Sequence, residues 1–153
     1  MEINLASYPQ VDSIVDGIGL RTVIWFQGCK HHCPYCHNPQ THSFDINITM
    51  NVDDIVNFYL FQSLQSGITI SGGDPFYQSD GLLVLLHKLK ENNVNIWVYT
   101  GFKYEEVLKQ FPEHLHYIDV LIDGLFINDL RDTSLLFRGS SNQRLIEDRK
   151  SVV

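Results

Sequence analysis

Cys29, Cys33 and Cys36 are the three cysteines of this 153-residue chain, and all fall within eight residues of one another. They stand in the segment Phe26-Gln27-Gly28-Cys29-Lys30-His31-His32-Cys33-Pro34-Tyr35-Cys36-His37-Asn38-Pro39, a C-x3-C-x2-C pattern. An odd number of thiols cannot pair off completely. In a reducing compartment such a cluster points to a metal before a disulfide framework.

Four chemistries compete for the segment. A structural zinc site wants four ligands, and with no second cysteine pair the fourth would have to be His31, His32 or His37. Cys33-Pro34-Tyr35-Cys36 also matches a redox dithiol, but that motif opens a helix that lowers the thiol pKa. Here Pro39 biases Asn38 away from helical geometry, and Cys29 is left unexplained. Cys33, Cys36 and His37 together match a covalent haem attachment signature, which the absence of an export signal disfavours. Three cysteines packed as small apolar residues sit poorly in a loop with three histidines, a lysine and an asparagine. In the fourth reading the three thiolates hold three irons of a [4Fe-4S] cubane, and the fourth iron has no protein ligand. Such an iron can take the amino and carboxylate groups of S-adenosyl-L-methionine, placing the sulfonium beside a reducible cluster.

The elements that must position this loop alternate along the chain. Short apolar runs at Thr22-Val23-Ile24-Trp25-Phe26, Ile68-Thr69-Ile70, Asn95-Ile96-Trp97-Val98-Tyr99 and Ile118-Asp119-Val120-Leu121-Ile122 are predicted as buried parallel strands. Between them lie helical patterns. Val52, Ile55, Val56, Tyr59 and Leu60 share one face, with Asn51 as N-cap and Gly67 as stop. A second pattern follows Ser79 and carries Leu82, Leu83, Leu85, Leu86 and Leu89. A third carries Tyr104, Val107, Leu108 and Phe111 and ends at Pro112. The alternation predicts an α/β fold around a parallel sheet, with function at the carboxyl ends of the strands. A closed eight-stranded barrel takes ~250 residues; four strands, with one or two more near the ends, predict an open one.

Composition narrows the classes further. With 44% hydrophobic and 19% charged residues, the chain is expected to form a packed single domain over residues 1–153. A formal net charge of -7 and no basic stripe argue against nucleic acid as a partner. No stretch approaches the ~18 apolar residues of a membrane span, and Met1-Glu2-Ile3-Asn4-Leu5 does not read as a signal peptide. A cytoplasmic location is expected.

The cysteine loop resembles that of the radical S-adenosylmethionine superfamily, C-x3-C-x-aromatic-C after the first barrel strand, with Tyr35 in the aromatic position. Ser71-Gly72-Gly73-Asp74-Pro75, after the second strand run, is similar to the superfamily's GGE motif that holds the methionine amino group. Glycines let backbone carbonyls approach a ligand, and Asp74 stands where Glu is more frequent. Tyr99-Thr100-Gly101 places a small polar residue where ribose or the methionine carboxylate could lie, although a turn explains it equally well. Asp119-Val120-Leu121-Ile122-Asp123-Gly124 and Phe137-Arg138-Gly139-Ser140-Ser141-Asn142-Gln143-Arg144 resemble the activating proteins of anaerobic ribonucleotide reductases. A second reading stays open beside this, in which the latter is a polar surface loop, Asp123 a structural strand-end carboxylate, and Arg138 and Arg144 solvated side chains.

The resemblance implies a partial, open parallel (β/α) barrel. It implies a [4Fe-4S] cluster on Cys29, Cys33 and Cys36, with Gly72, Gly73 and Asp74 at the methionine end of S-adenosyl-L-methionine. Backbone near Tyr35, Cys36 and His37 would meet the adenine, and Thr100 the ribose or carboxylate. One-electron cleavage would give a 5'-deoxyadenosyl radical that takes hydrogen from a glycine. The implied protein substrate is the large subunit of an anaerobic ribonucleoside-triphosphate reductase, and the implied electron donor a protein such as a flavodoxin. No catalytic acid or base beyond the cluster ligands is required. A pyruvate formate-lyase type activase, a small-molecule radical enzyme and a non-catalytic zinc or iron-sulfur module stay open as alternatives. Histidines such as His87 are expected to be surface residues without a role.

Overall fold

The structure, a computed structural model, describes residues 1–31, 36, 39–147 and 151–152. The predicted alternation is present. β3 (Arg21–Phe26), β5 (Gly67–Gly72), β6 (Ile96–Tyr99) and β7 (Val120–Asp123) lie side by side and parallel, after β1 (Glu2–Leu5) and β2 (Gln10–Ser13). β4 (Ile48–Asn51) and α1 (Val52–Phe61) connect β3 to β5, and α2 (Ser79–Glu91) connects β5 to β6. α3 (Tyr104–Gln110) and α4 (Pro112–Tyr117) precede β7, which β8 (Arg144–Glu147) and β9 (Ser151–Val152) follow.

The sheet runs β4-β1-β3-β5-β6-β7-β8-β9, with β2 also paired to β3. Every pairing outside the central four strands is antiparallel. The result is a mixed α/β sheet with a parallel centre. Five antiparallel strands flank that centre where one or two were expected. They are short and partly polar, so their apolar runs are weak. Yet Glu2-Ile3-Asn4-Leu5 alternates strictly, and Ile3 and Leu5 are fully buried.

Side-chain alternation divides the sheet's two faces. Ile24, Phe26, Ile68, Ile70, Ile96, Val98 and Leu121 form one core with Ile55, Leu82, Leu85, Leu86, Leu89 and Val107 of the helices. The intervening Trp97, Val120 and Ile122 form a separate cluster with Tyr99, Phe137 and Leu145. The helices' apolar faces thus cover one side, and the other is left for the site.

Two boundary expectations are corrected. Gly67 does not stop α1, which ends at Phe61 with Gln62 as C-cap donating to the Tyr59 carbonyl. The apolar periodicity has run out by then, since Phe61 is 90% exposed. Gly67 instead opens β5, where a Cβ would lie 2.4 Å from the Asn95 carbonyl oxygen. Pro112 follows the end of α3 as expected but is also the first residue of α4, a position where its missing N–H costs nothing. Asn51 caps α1 as predicted, accepting from the Asp53 N–H at 2.9 Å.

Candidate metal and cofactor site

A cleft of about 360 Å³ lies at the carboxyl ends of the parallel strands. The helix-free face supplies its floor: Trp25, Ser71, Tyr99 and Ile122 line it, one from each central strand. Cys29, Cys36, Gly72, Gly73, Thr100 and Arg138 also border it. Two of the three predicted cluster ligands therefore open onto the cavity that the glycine pair and Thr100 share. Cys33, Tyr35 and His37 lie outside the described residues.

The backbone explains how the cysteine loop is seated. The Gly28 N–H donates to the Thr41 carbonyl at 2.6 Å, and the Gly28 carbonyl accepts from the Asp74 N–H at 2.9 Å. The Gly73 N–H donates to the Phe26 carbonyl at 2.9 Å, and the Cys29 N–H to His42 at 3.1 Å. The start of the loop is thus clamped between the end of β5 and residues 41–42. This clamp requires glycine. Gly72 has φ +110°, and a Cβ there would sit 2.2 Å from the Phe26 oxygen. A Cβ on Gly73 would sit 2.4 Å from the Gly28 oxygen and 2.7 Å from that of Thr41. The glycine pair therefore brings β5 against the cysteine loop as well as facing the cavity.

Asp74 is 1% exposed, and its carboxylate is met by protein donors. The Thr100 hydroxyl lies 3.0 and 2.8 Å from its two oxygens, and the Gly101 N–H donates at 2.8 Å. His31 Nε2 lies 2.8 Å away, and the Phe76 N–H donates at 3.1 Å. Thr100 in turn accepts from the Phe102 N–H at 3.1 Å. With its hydrogen committed to Asp74, the Thr100 hydroxyl presents only an acceptor to anything in the cleft.

Charge in the cleft is uneven. Among the described residues Arg138 is the single Lys or Arg that lines the cleft; its NH1 donates to the Gln143 carbonyl at 3.3 Å, and its buried Nε meets no hydrogen-bond partner among them. It is not a freely solvated side chain. Gln143 orders the surrounding turn by accepting from the Gly139 and Ser140 N–H groups and donating to the Gly124 carbonyl. Burial pushes the Tyr99 phenol far above its ordinary range, so it stays protonated on the cleft floor. Beyond the cleft, Asp123 is the structural strand-end carboxylate, accepting from the Tyr104 and Arg144 N–H groups. Arg144 bridges it to Glu105. His87 sits on the surface of α2, paired with Glu91 at 2.9 Å.

Among the described residues, no group of three His, Cys, Asp or Glu side chains is arranged to hold a metal ion. The two cysteine sulfurs of the cleft are soft ligands that suit an iron-sulfur cluster, and the Asp74 carboxylate beside them is already met by protein donors. Sequence reasoning did not foresee Trp25, Tyr99 and Ile122 as cleft residues, having read their strands as buried. The part that Thr41 and His42 play through their backbones had no sequence signal. A second cavity of about 1020 Å³ adjoins the first through His31, Gly101 and Gly124.

Comparison with known proteins adds to this geometry. The family described as "4Fe-4S single cluster domain" matches residues 15–146. An anaerobic ribonucleoside-triphosphate reductase-activating protein of Haemophilus influenzae is 36% identical over 151 residues, covering 92% of this chain and 96% of the relative. The protein of the same name from Escherichia coli is 36% identical over 149 residues, with the same coverage. That of Enterobacteria phage T4 is 39% identical over 137 residues, 86% of each chain.

Proposed function

Because the chain belongs to the 4Fe-4S single cluster domain family and to that of the anaerobic ribonucleoside-triphosphate reductase-activating proteins, we propose that it installs a glycyl radical on the large subunit of such a reductase. The observation that carries this reading is the meeting of Cys29 and Cys36 with Gly72 and Gly73 on one cleft. Cys29, Cys33 and Cys36 would hold the [4Fe-4S] cluster. Bound there, it would supply the one electron that splits S-adenosyl-L-methionine into methionine and a 5'-deoxyadenosyl radical able to take hydrogen from the α-carbon of a glycine.

The protein's own contribution is positioning. Gly72 and Gly73 offer backbone at the methionine end, beside Asp74. Thr100, restricted to accepting, suits a ribose hydroxyl. Backbone at Tyr35, Cys36 and His37 would meet the adenine. Trp25, Tyr99 and Ile122 give the site a floor that excludes water, with Tyr99 neutral. No side chain of the cleft has to move a proton in this scheme, in keeping with a hydrogen-atom transfer.

The helix-free face and the antiparallel flanks fit a partial, open parallel (β/α) barrel in a single domain over residues 1–153. A site that admits a loop of a large partner needs an opening. The larger cavity across His31 and Gly124 gives that loop a route. No helix among the described residues is long and apolar enough to cross a membrane. The reading includes a cytoplasmic location and a one-electron donor such as a flavodoxin. The test is to mix anaerobically reconstituted protein with S-adenosyl-L-methionine, reductant and purified reductase large subunit. Electron paramagnetic resonance should then show a glycyl doublet, whereas 5'-deoxyadenosine without a protein radical would transfer the activity to a small-molecule substrate.

A further inference from the structure

The carboxylate of Asp74 offers about four acceptor positions, and the protein fills them. Phe76 N–H and Thr100 Oγ1 lie on Oδ1, while Gly101 N–H, His31 Nε2 and Thr100 Oγ1 again lie on Oδ2. The side chain is fully buried, and that of His31 is 15% exposed. An ammonium group seeking Asp74 would have to break one of these bonds. His31 belongs to the cysteine loop, Asp74 follows β5, and Thr100 and Gly101 follow β6, so one carboxylate joins three segments.

The imidazole is fixed on its other sides as well. Its ring lies 4.8 Å from Phe102 and 5.4 Å from Tyr77 between centroids. A Cβ on Gly101 would fall 2.6 Å from His31 Cδ2, so the ring occupies space that only glycine leaves. Two residues from Cys29, His31 also forms part of the boundary between the two cavities.

Resting on the function proposed above, we infer that Asp74 is a clasp and not a direct ligand of the methionine ammonium, and that His31 is the positioning residue through which the clasp holds the cysteine loop in register with the Gly72–Gly73 backbone. Methionine recognition at this site is then a backbone property, and the carboxylate acts by fixing where that backbone lies relative to the cluster. Removing a residue that supports a metal ligand typically costs about 10–100-fold in metal affinity or activity, and the low end of that range is taken here for the S-adenosyl-L-methionine affinity.

A double-mutant cycle on reconstituted protein separates clasp from direct contact. Equilibrium dialysis with S-adenosyl-L-methionine would compare wild type, His31→Ala, Asp74→Asn, the double variant and His31→Gln, with iron and sulfide content measured for each. The clasp predicts that each single change to Ala or Asn weakens binding by about ten-fold, and that the double variant is no weaker than the worse single one. His31→Gln, which keeps a donor for Asp74, should recover most of the affinity while iron content stays at the wild-type level throughout. Overturning results are a near-normal His31→Ala beside a weakened Asp74→Asn, losses that add in the double variant, or iron lost with His31→Ala. Wild type that fails to bind S-adenosyl-L-methionine would instead sink the proposed function itself.

Discussion

The two ends of the parallel strands are built on opposite plans. At the amino end Arg21, 1% exposed, is enclosed by fixed acceptors. Its Nε donates to Thr69 Oγ1 at 2.9 Å, NH1 to the Ile18 carbonyl at 3.1 Å, and NH2 to the Ile68 and Asn95 carbonyls at 2.7 and 3.1 Å. The guanidinium carbon lies 5.3 Å from the Trp97 ring centroid. Desolvation lowers its pKa to about 10, partly offset by Tyr59, Asp119 and Tyr99, so it remains cationic at neutral pH. At the carboxyl end the strands run into glycines, two cysteines and an open cleft, and the Arg138 Nε there is buried with no hydrogen-bond partner among the described residues. One end spends its polar groups on the fold. The other keeps groups in reserve for ligands, and the difference locates function before any chemistry is assigned.

The comparison breaks most completely at the cysteines. Cys29→Ala, Cys33→Ala and Cys36→Ala should each lower 5'-deoxyadenosine formation by more than about 100-fold, since loss of a ligand exceeds loss of its supporting shell. Full activity in Cys29→Ala would return the segment to a Cys33–Cys36 dithiol. The amino end should show the reverse profile. Arg21→Met should destabilise the fold by about 3 kcal/mol, because four acceptors lose their donors in a buried site. Anaerobic denaturant titration measures this, and affinity for S-adenosyl-L-methionine under folding conditions should stay unchanged.

Gly73→Ala tests where the two plans meet. Its Cβ would press on the Gly28 and Thr41 oxygens, so the start of the cysteine loop must shift. A stability loss of about 2 kcal/mol is expected, along with an altered cluster spectrum that Arg21→Met does not share. The smallest effect belongs to the surface pair Glu105–Arg144. The hydrogen bond from Arg144, followed by one from the backbone, holds the Glu105 carboxyl at about 2 against an ordinary 4.5. Its folded pKa is depressed, so the pair stabilises the protein above about pH 4.5, and the contribution is lost as pH falls through about 2. Wild type minus Glu105→Gln should differ by less than about 1 kcal/mol at pH 6, and the gap should close toward pH 2 in an acid unfolding series.

What was legible in the sequence follows the strength of local signals. The four central strands and three main helices were readable because apolar runs and helical periodicity are long there, and Asn51 is a strong cap. The cysteine spacing was readable because ligand chemistry constrains it. The antiparallel flanks were under-read, being four residues or fewer and partly polar in sequence. Gly67 was misjudged because a glycine needed for close backbone packing looks the same in sequence as one that ends a helix. Asp74 could be singled out but not understood, because three of its partners, His31, Thr100 and Gly101, come from 26 to 43 residues away. Trp25, Tyr99 and Ile122 became cleft residues only once alternation showed which face the helices leave bare.

The central claim, that the open end leaves one iron for a sulfonium amino acid, is tested most directly by electron-nuclear double resonance on the reduced, reconstituted protein. The sample would contain S-adenosyl-L-methionine carrying ¹⁷O in its carboxylate and ¹⁵N in its amino group. Hyperfine coupling of both labels to the cluster is the result expected. A reduced cluster that shows neither coupling, and whose irons are all held by side chains, would contradict the account.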